Sequence, residues 1–258
     1  MDDLNLNIQQ GKKAYFASDF HLGVRVGSTR EEQLREREIV DWLNAIRVDA
    51  GAVFLLGDLF DFWFEYRHVV PKGFVRFQAA VASLCDAGIP VYFFSGNHDL
   101  WMSDYLEAEL GVVIVHHPVS LTINGTTFHI GHGDGLGPGD SKYKLLKKIF
   151  TNPLAQWLFR LLHPDLGIAL ARRWSAGSRL SKLDRFEEYH GEKEYLLRYC
   201  RDMELQRHHK YYIFGHRHLV LDVPLTGESR YINLGDWLNN RVYAIFDGDE
   251  FILEKSPL

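Results

Sequence analysis

The sequence predicts an α/β protein in which the ends of several strands meet at one site. Short apolar runs rich in branched and aromatic residues, Ala52-Val53-Phe54-Leu55-Leu56 the clearest, alternate with stretches whose apolar residues recur at helical spacing. Four such runs stop at a glycine followed by a polar residue, at Gly57-Asp58, Gly96-Asn97, Gly131-His132 and Gly215-His216. Ligand sites of open α/β sheets gather beyond the carboxyl ends of the strands, so these endings are expected to converge in space. The 258 residues, 46% hydrophobic and 24% charged, suit a single domain over 1–258 that carries an insertion.

In chain order, Lys-Ala-Tyr-Phe-Ala at 13–17 reads as the first strand and runs into Ser18-Asp19-Phe20-His21. Residues 31–47 place Leu34, Ile39, Trp42, Leu43 and Ile46 close to one helical stripe. The buried strand into Asp58 follows. Residues 74–87 repeat the helical pattern through Phe74, Phe77, Val81 and Leu84, and Gly88 stops it. Residues 89–95 form the strand before Gly96. Asn124-Gly125 marks a hairpin whose second strand, 126–130, leads into Gly131. Residues 210–214 run into Gly215, and 231–234, 241–246 and 251–253 are the closing strands.

Residues 135–185 differ in character. After the breaker cluster Leu136-Gly137-Pro138-Gly139, the residues Ile149, Phe150, Leu154, Trp157, Leu158, Leu161 and Leu162 recur at helical spacing. From Lys142 to Arg185, ten Lys or Arg stand against two acids, Asp165 and Asp184, in a chain of net charge −5. Such a basic amphipathic insertion is either a bundle packed on the domain with a solvated face, or a lid that meets an anionic, apolar ligand or a membrane surface. The overall charge argues against a global nucleic-acid binder. Cys85 and Cys200 are far apart and in no metal spacing, which fits a reducing compartment. Residues 1–10 lack a secretory pattern, and no apolar stretch reaches the ~18 residues needed to span a bilayer.

The strand endings carry the chemistry. Asp19 and His21, and likewise His216 and His218, are two residues apart, so each pair is expected on one face. Asp58, Asn97 and His132 complete seven candidate ligands, a His/Asp/Asn set without thiolates that suits Mn, Fe, Zn or Co. One ion cannot use seven, and two ions ~3.5–4 Å apart need a bridging carboxylate. Asp58 is that bridge: Asp19, His21, Asp58 and His218 serve one ion, and Asp58, Asn97, His132 and His216 the other. His98 reaches over the site as proton donor or hydrogen-bond donor, Asp99 is expected to orient it, and Asp61 to brace a metal-bound histidine. The remaining histidines, His129 among them, read as surface or core groups.

Asp19-x-His21, Gly57-Asp58-x-x-Asp61, Gly96-Asn97-His98-Asp99, Gly131-His132 and Gly215-His216-x-His218 resemble, in order and spacing, the five blocks of the calcineurin-like metallophosphoesterases. The resemblance implies a four-layer αββα sandwich with two divalent metal ions, Mn2+ the expected identity. Ser18 to Gly23, Gly57 to Trp63, His132-Gly133-Asp134 and the insertion are similar to the group that hydrolyses the pyrophosphate of UDP-2,3-diacylglucosamine to UMP and 2,3-diacylglucosamine 1-phosphate in lipid A biosynthesis. That likeness implies a helical cap over approximately 137–208 that shields acyl chains. It implies substrate contacts at Asn97, His98, Asp140, Ser178, Lys182, Arg185 and His216. It also implies a cytoplasmic protein on the inner-leaflet membrane surface, with a lipid-linked nucleotide sugar and no nucleic acid as partner. One position departs: the best-known members carry arginine where this chain has His98, as the wider family does. A phosphodiesterase or nucleotide pyrophosphatase acting on another substrate therefore stays open. A non-catalytic scaffold is disfavoured because every ligand position is filled.

Overall fold

Buried aromatic and branched side chains pair into two stacked six-stranded sheets. A computed structural model describes residues 3–24, 28–139, 141–180 and 188–256, without the side chains of 142, 172 and 174–180. The strands are β1 (Asp3–Leu6), β2 (Lys13–Ala17), β3 (Ala50–Leu55), β4 (Val91–Phe94), β5 (Val113–Val115), β6 (Val119–Ile123), β7 (Thr126–Ile130), β8 (Tyr211–Phe214), β9 (Val220–Pro224), β10 (Arg230–Leu234), β11 (Val242–Phe246) and β12 (Phe251–Lys255). The helices are α1 (Thr29–Ile46), α2 (Val75–Asp86), α3 (Tyr105–Leu110), α4 (Ser141–Phe150), α5 (Pro153–Arg160), α6 (Pro164–Leu180) and α7 (Tyr195–Gln206).

One sheet runs β12-β11-β2-β3-β4-β5 and the other β1-β6-β7-β8-β10-β9. β2 through β5 are parallel, as are β7, β8 and β10, so the carboxyl ends of both central groups lie at sheet edges. Between the sheets, Phe16 stacks on Phe54 with ring centroids 4.9 Å apart, and Phe54 on Tyr92 at 5.0 Å. Phe94, Leu121, Phe128, Ile213 and Phe246 fill the rest of that inner layer. The first sheet's outer face is covered by α1, α2 and α3 through Trp42, Leu43, Phe77, Leu84 and Leu106. The layers are therefore helix, sheet, sheet, helix.

Local signals explain the element ends. Ser28 and Glu31 form a reciprocal capping box that starts α1. Asn124 and Gly125 both take positive φ, 49° and 87°, the geometry of a two-residue hairpin turn that matches strand twist.

The fourth layer is α7. The expected cap over 137–208 takes in α7, yet α7 buries Leu196, Leu197, Cys200 and Met203 against the second sheet's Tyr212, Phe214 and Tyr231. It is an outer layer of the sandwich, because its apolar stripe has a sheet to cover. Among the described side chains, α4, α5 and α6 place no such stripe in the core. Leu145, Ile149, Leu154, Trp157, Leu158, Leu161 and Leu166 on and between them are exposed. Gly167 of α6 is where this group meets the domain closely, since a Cβ there would run into the Tyr66 hydroxyl.

Candidate metal centre

Each candidate ligand sits just past a strand: Asp19 after β2, Asp58 after β3, Asn97 after β4, His132 after β7 and His216 after β8. Asp19 and His21 face the same site, but not by strand alternation. Eight non-glycine residues among those described have positive φ, and five are candidate ligands: Asp19 (56°), His21 (45°), Asp58 (51°), His216 (67°) and His218 (54°). The left-handed conformation turns their side chains back over the sheet ends. It costs on the order of 1–3 kcal/mol per residue and persists where surrounding structure enforces it, characteristically at functional sites. Here the enforcement is visible. The Asp19 and His21 amides donate to the Gly57 and Asp58 carbonyls at 3.0 and 2.9 Å, and the Trp237 amide donates to the Asp19 carbonyl at 3.1 Å.

The expected ligands form two groups around one carboxylate, and a third set, His21, Asp61 and His98, lies beside them with its ligand atoms equally close. Asp19, His21, Asp58 and His218 place ligand atoms within 4.8 Å of one another, and so do Asp58, His132 and His216. His21 Nε2 lies 3.2 Å from His218 Nε2, and His216 Nδ1 lies 3.2 Å from His132 Nε2. Asn97 Oδ1 joins the second group 3.4 Å from His132 Nε2. A single atom, Asp58 Oδ2, is 3.8 Å from His21 Nε2 and 3.4 Å from His132 Nε2.

The donor set fits cations. His132 Nδ1 is 2.8 Å from the Leu56 carbonyl oxygen and must donate its proton there. Nε2 of a neutral His132 then turns a lone pair toward the oxygens of Asp58 and Asn97, an arrangement that calls for positive charge between them. Burial alone would lower the His132 pKa, but the Asp58 charge overrides this and pushes it up to about 10. His218 follows the same logic: burial opposes its charge, Asp19 and Asp236 outweigh burial, and its pKa rises to about 10. Asp19 Oδ1 and His21 Nδ1 are buried without a hydrogen-bond partner. Two imidazole nitrogens held about 2.0–2.1 Å from one ion and at right angles to each other would lie about 3 Å apart, close to the spacing observed. Gly96 and Gly215 complete the fit, because a Cβ at either would strike the carboxylate of Asp58 or Asp19.

The chain matches the calcineurin-like phosphoesterase family over residues 12–220, most of its length. This protein is a calcineurin-like phosphoesterase. Among its relatives, "UDP-2,3-diacylglucosamine hydrolase" of Porphyromonas gingivalis is 40% identical over 94% of this chain and 97% of that one. The protein of the same name from Actinobacillus succinogenes is 27% identical over 87% and 92%. Among solved structures, TT1561 of Thermus thermophilus is similar at a TM-score of 0.45 and 12% identity, over 96% of this chain and 100% of that one.

As in its family, the phosphoesterase uses divalent metal ions. Its His98 stands over the centre: the His98 amide donates to Asp58 Oδ1 at 2.8 Å, and the ring packs edge-on to His21 at 5.0 Å. His98 Nδ1 lies 3.1 Å from the Asp61 carbonyl oxygen and 3.8 Å from the Asp61 carboxylate. His98 is thus held by Asp61. The Asp99 carboxylate is fully buried and accepts from the amides of Leu59 and Gly96 at 2.7 Å and of Asp58 at 3.3 Å. It pins the Asp58 turn to the Asn97 turn. Burial, together with the Asp58 charge, pushes its pKa up to about 7.

Three residues of the phosphoesterase were missed as contributors. Asp236 Oδ2 lies 3.4 Å from His218 Nδ1 and fixes that ring. Its signal was legible, for β10 ends in Gly235-Asp236 like the other site strands. Asp134 is buried beside His132 and takes Lys147 Nζ at 2.7 Å and the Tyr143 hydroxyl at 2.5 Å. Arg217, between two candidate ligands, forms a buried two-point ion pair with Glu194 at 2.8 and 3.1 Å. Of the expected substrate contacts, Asn97, His98 and His216 are at the centre, whereas Asp140, Lys182 and Arg185 lie outside the described residues. Ser178 is on α6, its side chain also outside them.

Proposed function

We propose that this phosphoesterase hydrolyses the pyrophosphate of UDP-2,3-diacylglucosamine to UMP and 2,3-diacylglucosamine 1-phosphate, a step of lipid A biosynthesis. One observation carries the reading. A cavity of about 240 Å³ lies between α4–α6 and the domain, with Asn97 and His98 at one side and Phe62, Trp101, Leu146, Phe150, Phe159 and Leu170 around it. Apolar surface removed from water is worth about 25 cal/mol per Å², so such walls select acyl chains over a solvated diester. The relatives at 40% and 27% identity carry the name of this hydrolase, which supports the same substrate here.

In this reading Asp19, His21, Asp58 and His218 hold one ion, and Asp58, Asn97, His132 and His216 the other. Mn2+ is the proposed identity, in keeping with a thiolate-free His/Asp/Asn donor set. Bound there, two divalent ions lower the cost of ionising water and neutralise charge on the phosphoryl oxygens. His98, held by Asp61, donates a hydrogen bond or proton to the phosphoryl group at the mouth of the cavity. The apolar walls fix where the lipid end lies and thereby aim the pyrophosphate at the centre.

The test is to incubate the protein and Mn2+ with UDP-2,3-diacylglucosamine and, separately, with a water-soluble generic diester. Release of UMP and the lipid monophosphate is the expected result. Faster cleavage of the generic diester, with the lipid substrate untouched, would move the function to the related phosphodiesterases.

The same insertion supports a peripheral location on the inner leaflet, with the protein body in the cytoplasm. Trp157, Leu154, Leu158 and Leu161 are exposed on or next to α5, near the exposed cations Lys148 and Arg160. Apolar residues entering the headgroup boundary and cations facing anionic lipid make an interfacial anchor. No helix among the described residues is long and apolar enough to cross a membrane. Reversing Lys148 and Arg160 to glutamate should weaken binding to anionic vesicles several-fold at low salt, with the difference fading as salt rises. Unchanged sedimentation with vesicles would discard the electrostatic part of this anchor.

A further inference from the structure

The two halves of the metal centre are supported differently. The first half rests on the sandwich itself: the Asp19 and His21 amides are tied to the β3 turn, Trp237 N donates to the Asp19 carbonyl, and Asn240 Nδ2 donates to the His218 carbonyl at 3.1 Å. The second half is spanned by α4 of the insertion. Midway along it, Lys147 and Tyr143 grip Asp134, two residues past His132. At its carboxyl end, the Phe150 carbonyl accepts from Trp101 Nε1 at 2.6 Å, four residues past Asn97. The His132 carbonyl accepts from the Gly215 amide at 2.9 Å, so the turn before His216 moves with the same group. Gly133 leaves no slack, since a Cβ there would press on Leu196 of α7 at 3.1 Å.

We infer that α4 sets the affinity of the second metal position, and that Lys147 and Trp101 are positioning residues for Asn97, His132 and His216. This inference rests on the dimetal reading above. Because α4 also lines the cavity, an occupied cavity holds the second ion more tightly, and by reciprocity the ion favours an occupied cavity. The first ion, seated on the sandwich, is less sensitive to both, since it meets the second group only through the shared Asp58 and through the His216 amide, which donates to Asp19 Oδ2 at 3.0 Å. Surrounding partners that orient metal ligands change affinity by about 10–100-fold when removed, and support transmitted through backbone belongs at the lower end.

Calorimetric titration of the metal-free protein with Mn2+ tests the inference without any turnover. Lys147→Met leaves the buried Asp134 carboxylate without its cation and should melt at a lower temperature, so the titration is run where the metal-free variant is still fully folded. The expected result is two ions in the unmodified protein, with the weaker-bound one about tenfold weaker in Lys147→Met and the other within twofold. Lys147→Arg should restore it, and Trp101→Phe, which keeps the ring but loses the donor, should reproduce the selective loss. Equal weakening of both ions, or of neither, would overturn the inference and leave the dimetal centre standing. A single ion in the unmodified protein would remove the dimetal reading, and the inference with it.

Discussion

Asp58→Ala is expected to emerge from purification with neither ion and without measurable turnover. Its Oδ2 faces imidazoles of both groups, and its Oδ1 holds the His98 amide, so no other side chain present substitutes for it. Without it the first group keeps Asp19 and two histidines, the second keeps no carboxylate, and nothing joins them. Enzymes typically accelerate their reactions by about 10⁶-fold or more, and the ions supply the ionised water and charge neutralisation here, so a loss of at least ~10⁴-fold follows. Elemental analysis decides the matter: two equivalents of transition metal retained in the variant would refute the bridge.

His98→Ala should behave in the opposite manner, keeping both ions while turnover falls by ~10²–10⁴-fold, the usual worth of a positioned proton donor. His98 meets Asp58 through its backbone amide, which alanine preserves, while its ring packs on His21 and lines the cavity mouth. The metal content of the two variants therefore separates a group that carries the ions from one that acts on the substrate. Loss of metal from His98→Ala would reassign the ring to holding the centre together.

The convergence of the five fragments was legible because glycine-stopped strands are a strong local signal and parallel strands end on one side. The reason given for Asp19 and His21 was not the operative one. Alternation along a strand predicts a shared face, but the chain has already left β2, and left-handed backbone does the turning. Residue type marks that geometry only weakly: aspartate and histidine are enriched in left-handed backbone but also occur freely in extended chain. What Asp99 holds was not legible either: a carboxylate that accepts four amides looks, in sequence, like one that orients a catalytic ring. The strands β1, β5 and β9 escaped notice because the first two are four and three residues long and the third is an edge strand with exposed positions and a terminal proline. Helix α7 was assigned to the cap because its neighbours are helical, and only the sheet beneath shows what its apolar stripe covers.

Gly96 and Gly215 bear on how this protein can be inactivated. Each leaves room that an acidic oxygen occupies, so the smallest possible enlargement, one methyl group, would shove Asp58 or Asp19 out of register. Silencing alleles need not touch any ionisable group. A survey confined to charged and imidazole positions would overlook two of the least replaceable sites in the chain.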